Sequence, residues 1–261
     1  MLTSILYIIV SFCATVIGAI TGIGGGIILK SVVPLFSHDS IIVVSFYTTI
    51  LVFTMCLVSI YKQWRTGFQF NFRVLLSISI GSILGGYLGD WILQGVTKFY
   101  PATQVQLIQS CILFATLLFL ILYTLLGPKK TEVPTPPVSI TFLLGLFLGG
   151  ISIFLGIGGG PLNISLLIIF FGYSMKKAAV YSIATVFFSQ IAKLISVVSI
   201  GDYSQFNLTL VPCFIITALL GGYLGTLLHH RLTSQMIEKL YMILMAALLL
   251  IVLSNIVGYW I

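Results

Sequence analysis

Charge is what this 261-residue chain has least of. Asp and Glu together number 5, Lys and Arg 12, and charged residues make up 7% of the sequence. A soluble domain carries about 25% charged residues, and a surface so poor in charge does not stay in water. The cysteines are as uninformative as they are few: Cys13, Cys56, Cys111 and Cys213 lie in apolar stretches without metal-ligand spacing. No His-Glu-x-x-His, no Gly-x-Ser-x-Gly and no pair of aspartates on facing spans occurs. Soluble enzymes, disulfide scaffolds and nucleic-acid-binding domains are thereby excluded as primary readings. No catalytic residue, metal ligand or cofactor is assigned, and an intramembrane enzyme ranks last. The net charge of +7 would suggest nucleic acid in a soluble chain; here lysines and arginines first report orientation.

What the chain has instead is hydrophobicity: 59% apolar residues, in runs of the length a bilayer requires. The runs are continuous rather than alternating, which reads as helices and not as a barrel. Apolar segments fall at about 2–36, 40–62, 73–93, 104–126, 138–173, 176–200, 207–228 and 235–258. The first and fifth are too long for one crossing, and each is broken by Gly-Ile-Gly-Gly-Gly, at Gly22–Gly26 and Gly156–Gly160. Met1-Leu2-Thr3-Ser4 lacks the positive start of a signal peptide, so the first segment is expected to stay in the mature fold.

The halves are related. Tyr47-Thr48 matches Tyr181-Ser182 and Gly67 matches Gly201 at the offset of 134 that joins the pentapeptides. After a two-residue slip, Asn71 meets Asn207 and Gly85-Gly86-Tyr87-Leu88-Gly89 meets Gly221-Gly222-Tyr223-Leu224-Gly225. Residues 1–127 are thus read as a first repeat, 128–137 as a proline-rich linker and 138–261 as a second repeat.

Charge then decides between topologies. If all eight segments crossed, the basic residues would divide evenly between the two sides. If each broken segment is a re-entrant hairpin, each half crosses three times and the halves are inverted. Lys62, Arg65, Arg73, Lys129, Lys130, Lys176, Lys177, Arg231 and Lys239 then share one side, against Lys30 and Lys98 on the other. The second arm of the first hairpin, about residues 27–38, spans roughly 18 Å and is too short to cross. The expected fold is an all-α polytopic membrane protein of two inverted repeats, each a Gly-broken re-entrant hairpin followed by three transmembrane helices. The linker is expected in the cytoplasm and both termini outside.

Three consecutive glycines break a helix, and broken backbone at membrane depth lines a cavity or is buried by protein. Inverted repeats with discontinuous helices put such breaks near the midplane, where transporters bind substrate. Each tip precedes a short helix, whose N–H groups and positive dipole end suit an anion. Gly24, Gly25, Gly26, Gly158, Gly159 and Gly160 are therefore candidate binding residues. Glycines also serve close helix packing, the reading given to Gly81, Gly85, Gly89, Gly145 and Gly149. Ser182, Thr185, Ser189, Lys193 and Ser196 step along one helix face, with Gln190 beside them. Thr48, Ser182 and Thr185 are candidate hydroxyl donors, or bond to carbonyls one turn back. Asn163 is a candidate amide donor beyond the second tip. Lys193 either balances the anion or reaches to the outer surface. Asp90 is the only carboxylate placed for proton coupling, and a surface position is expected for it. Lys30 is read near the outer interface, and His38, His229 and His230 in interfacial loops.

This set of features resembles the TauE/SafE sulfite exporter family, also called the 4-toluene sulfonate uptake permease family. The resemblance covers the whole chain and rests most on Gly22–Gly26 and Gly156–Gly160, with the Ser/Thr-bearing segment and Gly-Gly-Tyr-Leu-Gly after them. It implies a secondary transporter of small sulfur-containing anions in the bacterial inner membrane, exporter or uptake permease. The expected partners are that anion and the lipid bilayer, with no nucleic acid; a homo-oligomer is left open. Coupling to the proton gradient is expected, and the alternative is a passive channel built on paired re-entrant hairpins. Leu51 and Met55 stand where the second half has Thr185 and Ser189, so roles of those two positions do not carry over.

Overall fold

The computed structural model describes residues 2–33, 36–37, 39, 41–126, 136–155, 160–200 and 208–258. The described residues are helical: α1 (Leu2–Thr21), α2 (Gly26–Val32), α3 (Ile41–Arg65), α4 (Phe72–Phe99), α5 (Ala102–Leu126), α6 (Val138–Leu155), α7 (Gly160–Phe171), α8 (Met175–Ile200), α9 (Val211–Arg231) and α10 (Ser234–Gly258). Eight are long and apolar enough to cross a membrane; α2 and α7 are the short ones. The first apolar segment too long for one crossing is divided at its glycines, α1 from α2; in the second, α6 ends before residues 156–159, which lie outside the described residues, and α7 begins at Gly160. The linker residues 127–135 lie outside the described residues.

Helix ends follow local chemistry. Asn71 caps α4, its side-chain oxygen accepting from the N–H groups of Arg73 and Val74 at 3.1 and 3.4 Å. The hydropathy reading ends this helix at about residue 93, but it continues to Phe99. Tyr100 is extended before Pro101, which disfavours helix at the preceding residue. The helix passes through Asp90 because that carboxylate finds partners inside the protein.

Glycine ladders set the tightest packing. Gly81, Gly85 and Gly89 lie against the backbone of Phe142, Leu146 and Gly150, so α4 and α6 run parallel with their backbones in contact. Gly225 does the same on α1, against Val16 and Ala19, while Gly221 sits on the Thr15 side chain and near the Phe12 carbonyl. A side chain at Gly81, Gly85, Gly89 or Gly225 would occupy the neighbour's main chain, and one at Gly221 the Thr15 hydroxyl. Elements of the two halves therefore interlock: α4 packs on α6 and α8, while α9 packs on α1 and α3. The middles of α3 and α8 meet where Phe53 stacks on its own repeat mate, Phe187, with ring centroids 5.1 Å apart.

The chain turns back between α1 and α2. Gly25 sits on Ala14 and against Gly18, and Phe36 reaches the Tyr7 ring at 5.3 Å. Tyr7 also meets Tyr47 and Phe214, which gathers the starts of α1, α3 and α9 into one apolar cluster. A second cluster forms where α7 ends and α8 begins. There Phe171, Tyr173 and Tyr181 pack together, and Tyr181 meets Phe68 and Phe70 of the α3–α4 loop. The Tyr181 hydroxyl accepts from the Asn71 N–H at 2.8 Å, and Ser77 donates to the carbonyl of Val138 at the start of α6. Outward faces of α5 and α10 leave Phe119, Leu125, Leu126, Ile243 and Leu250 exposed, a surface suited to acyl chains.

A polar seam between the repeats

The first glycine tip works through backbone shape. Gly22, Gly24 and Gly25 have φ of 83°, 93° and 69°, left-handed values that glycine adopts without a Cβ clash. Gly22 also lies against Ala179 of α8, where an added Cβ would come within 2.7 Å of the Ala179 Cβ. Gly24 sits between two repeat-related valines: its added Cβ would be 3.5 Å from Val186 and 3.7 Å from Val52. Gly26 opens α2 and is buried. In the second tip Gly160 opens α7 and is pressed against the backbone of Ile23, so the two broken segments touch. Gly158 and Gly159, like Gly156 and Ile157, lie outside the described residues.

Ser182 ties the tips together. Its hydroxyl donates to the carbonyl of Gly22 at 2.7 Å and lies 3.4 Å from that of Gly160. The other candidate hydroxyls serve their own helices: Thr48 donates to Val44 at 2.6 Å and Thr185 to Tyr181 at 2.9 Å. Each still offers lone pairs, and the Thr185 carbonyl accepts from Ser82 on α4. Asn163 is fully buried on α7, and among the described residues neither its amide oxygen nor its nitrogen has a partner. Ser152 on α6 is buried with its hydroxyl equally unmatched. Unpaired groups of this kind cost about 1–3 kcal/mol each unless a ligand or water satisfies them.

A pocket opens beside the tips, lined by Ser45, Thr48, Thr49 and Val52 of α3, Ser152 and Ile153 of α6, and Gln190 and Lys193 of α8. Its volume of about 20 Å³ holds little more than one water. Val52 belongs both to this pocket and to the surroundings of Gly24, so tip and pocket adjoin. Lys193, at the pocket wall, pairs with Asp90 of α4 at 3.1 Å, and Asp90 accepts from the Gln94 amide at 2.7 Å. Lys30, one turn beyond the first tip, is half-buried and close enough to Lys193 for the two ammonium groups to repel.

Several expectations need correction. Asp90 is not at the surface; its exposure is 9%, because Lys193 compensates its charge. Lys30 is drawn inward with the short α2. His229 and His230 are not in a loop but in the last turn of α9, where His229 is buried with Nδ1 2.7 Å from the carbonyl of Ile20. His230 meets the Thr66 hydroxyl at 2.8 Å; His38 lies outside the described residues. The cysteines lie within the apolar helices α1, α3, α5 and α9 as expected, Cys13 and Cys111 exposed, Cys213 partly so and Cys56 buried. No cluster among the described residues is built to hold a metal ion. Lys30, Ser45, Thr49, Ser152 and Gln190 join the site although the sequence reading did not select them. The stepping polar face of α8 was the signal for Gln190, and its weaker counterpart on α3, with Ser45 and Ser59 polar beside Thr48, was the signal for Ser45.

Comparison with known proteins agrees with this architecture. No curated protein matches the chain. The family model described as "Sulfite exporter TauE/SafE" matches residues 7–252, nearly the whole length. Spans and this match lead to one conclusion: the chain is a multi-pass membrane protein that belongs to the TauE/SafE sulfite exporter family, a family of membrane transporters.

Proposed function

We propose that the chain is a secondary transporter that moves a small sulfur-containing oxyanion by alternating access, coupled to the proton gradient. The anion would lie between the glycine tips and the pocket, facing Lys193 and the Asn163 amide, with the tip N–H groups and the hydroxyls of Thr48, Ser182 and Thr185 leaving the backbone carbonyls they now serve in order to donate to it. The observation that carries this reading is Lys193. An ammonium within an apolar span is expensive and marks a pathway or site, and this one borders a pocket of hydroxyls and an amide. Among the described residues here, Lys30 and Lys193 outnumber Asp90, a balance of charge suited to an anion.

The proposed topology is two inverted repeats, residues 1–127 and 138–261, with re-entrant hairpins, a cytoplasmic linker and external termini. Support comes from the two aromatic clusters. Tyr7 and Phe36 bring the start of α1 to the end of α2. Phe171, Tyr173 and Tyr181 bring the end of α7 to the region where α4 and α6 begin. Rocking of one repeat against the other would break the Gly160–Ile23 contact and re-form it, exposing the anion to each side in turn.

The test is purified protein in liposomes offered sulfite, thiosulfate, sulfoacetate, taurine and sulfate. Saturable flux of at least one sulfur anion, weakened by Lys193→Gln, is the expected result. Flux linear in concentration for every anion, with single-channel currents, would instead make the protein a pore.

A further inference from the structure

The pocket has a counterpart in the other half of the chain. At the offset of 134, its residues Thr48, Val52, Ser152 and Lys193 correspond to Ser182, Val186, Gly18 and Ser59. Ser182, Val186 and Gly18 meet the first glycine tip, at Gly22, Gly24 and Gly25. Ser59 stands two turns beyond Val52 on α3, and Val52 also adjoins Gly24. Resting on the transport reading and inverted topology above, we propose that Ser59 and Gln63 mark a second, cytoplasm-side station for the anion, which opens when the pocket closes.

Helices α3 and α9 run parallel and bracket this station. Gly222 of α9 lies against the main chain of Met55, and two turns further on His230 meets the Thr66 hydroxyl at 2.8 Å. Ser59 and Gln63 fall between those two contacts, and steps of four residues from Met55 keep them on the face toward α9. Their exposures are 0% and 1%. The Ser59 hydroxyl and both ends of the Gln63 amide have no hydrogen-bond partner among the described residues. Protein interiors pair nearly all such groups, so unmatched atoms on successive turns of one buried face point to a polar visitor. Across the seam His229 is buried and ties α9 to the Ile20 carbonyl at 2.7 Å, in the last turn of α1 just before the tip. The station thus adjoins the tip from the basic end of α3, as the pocket adjoins it from the other end.

The chemistry of the two stations differs. Thr226 is the repeat mate of Asp90 as Ser59 is of Lys193, so hydroxyls replace the ion pair found beside the pocket. A hydroxyl and an amide N–H donate to an oxyanion without neutralising it. An anion held in this way keeps part of its hydration and leaves readily, as a station on a pathway requires. The approach is basic: Lys62 and Arg65 stand in the last turn of α3, with the Lys62 amine over the Tyr223 ring, and Lys176 is bonded to the carbonyls of His230 and Leu232. Cations around an uncharged buried site concentrate small anions there and keep cations out.

The test uses two methanethiosulfonate reagents of similar size, one carrying a sulfonate and the other a quaternary ammonium. In a chain whose four native cysteines are replaced, Ser59→Cys and the exposed loop position Gln69→Cys are labelled in detergent, where both states are reachable. The ratio of sulfonate to ammonium rates at position 59 should exceed the ratio at position 69 by about tenfold or more. An equal ratio identifies a gap that admits water alone, and no reaction with either reagent identifies dry packing; each overturns the station while leaving transport intact. Gln63→Leu gives a second reading. In liposomes the folded variant should carry the anion that the wild type carries at least about tenfold more slowly, with affinity in detergent, set by the pocket, changed by less than about twofold. Unchanged flux in Gln63→Leu overturns the station as well. If the wild type moves none of the five anions offered above, the transport reading fails and the inference with it.

Discussion

Gly160→Ala tests whether the two broken segments separate during function. Gly160 opens α7 with its Cα against Ile23 of the other tip, and a methyl group there overlaps the Ile23 carbonyl and Cα. All of these are main-chain atoms, so no side chain can swing aside. Overpacking of this kind costs the tip-closed state about 1–3 kcal/mol, while the gain from replacing glycine by alanine in a helix is common to both states and cancels. A cost of roughly 1.4 kcal/mol, in the lower half of that range, multiplies the tip-open population about tenfold. A cysteine at position 186 reads this out, since Val186 is fully buried against Gly24. In a chain whose four native cysteines are replaced, a small hydrophilic maleimide should label Val186→Cys about tenfold faster when Gly160→Ala is added, because labelling follows the open population. Gly95→Ala, at a site with open space around it, is the control and should leave the rate unchanged. Equal labelling rates with and without Gly160→Ala would refute the idea that the tip contact opens.

Gly85→Leu should block assembly of α4 on α6, because the side chain would occupy the Leu146 carbonyl; a loss of more than about 3 kcal/mol is expected, visible as aggregation on size-exclusion chromatography. Asn163→Leu removes a buried amide with no partner among the described residues. The variant should melt higher by the equivalent of about 1–3 kcal/mol and lose transport; an unchanged flux would show that Asn163 serves no anion. Single cysteines at position 130 and at the C-terminus should be labelled from opposite sides of the membrane. Labelling from one side would end the inverted arrangement.

Much of the fold could be read before any coordinates. Long apolar runs, an offset of 134 between two glycine pentapeptides and a polar face on α8 are properties of local sequence, and local sequence is where hydropathy and helix breaking act. The Gly81, Gly85 and Gly89 ladder likewise declares close packing through spacing; it lies against Phe142, Leu146 and Gly150 of α6, whose Gly145 and Gly149 in turn lie against Ile78 and Ser82 of α4. The Asp90–Lys193 pair was illegible for a physical reason. The two residues are 103 apart in sequence, neither has a charged repeat mate, and a carboxylate near the end of an apolar run reads as the start of a loop. Only tertiary contact shows that Asp90 is compensated and that α4 continues past it to Phe99. The same holds for His229, which loop reasoning exposes and the α1–α9 contact buries.

The central claim is that the protein carries an anion rather than conducting it. Counterflow tests this most directly: liposomes containing the protein are loaded with unlabelled thiosulfate and diluted into labelled thiosulfate. A carrier that alternates between sides accumulates label transiently above its equilibrium level, and that overshoot is the result predicted here. Label that rises monotonically to equilibrium, at a rate indifferent to the internal anion, would contradict the account.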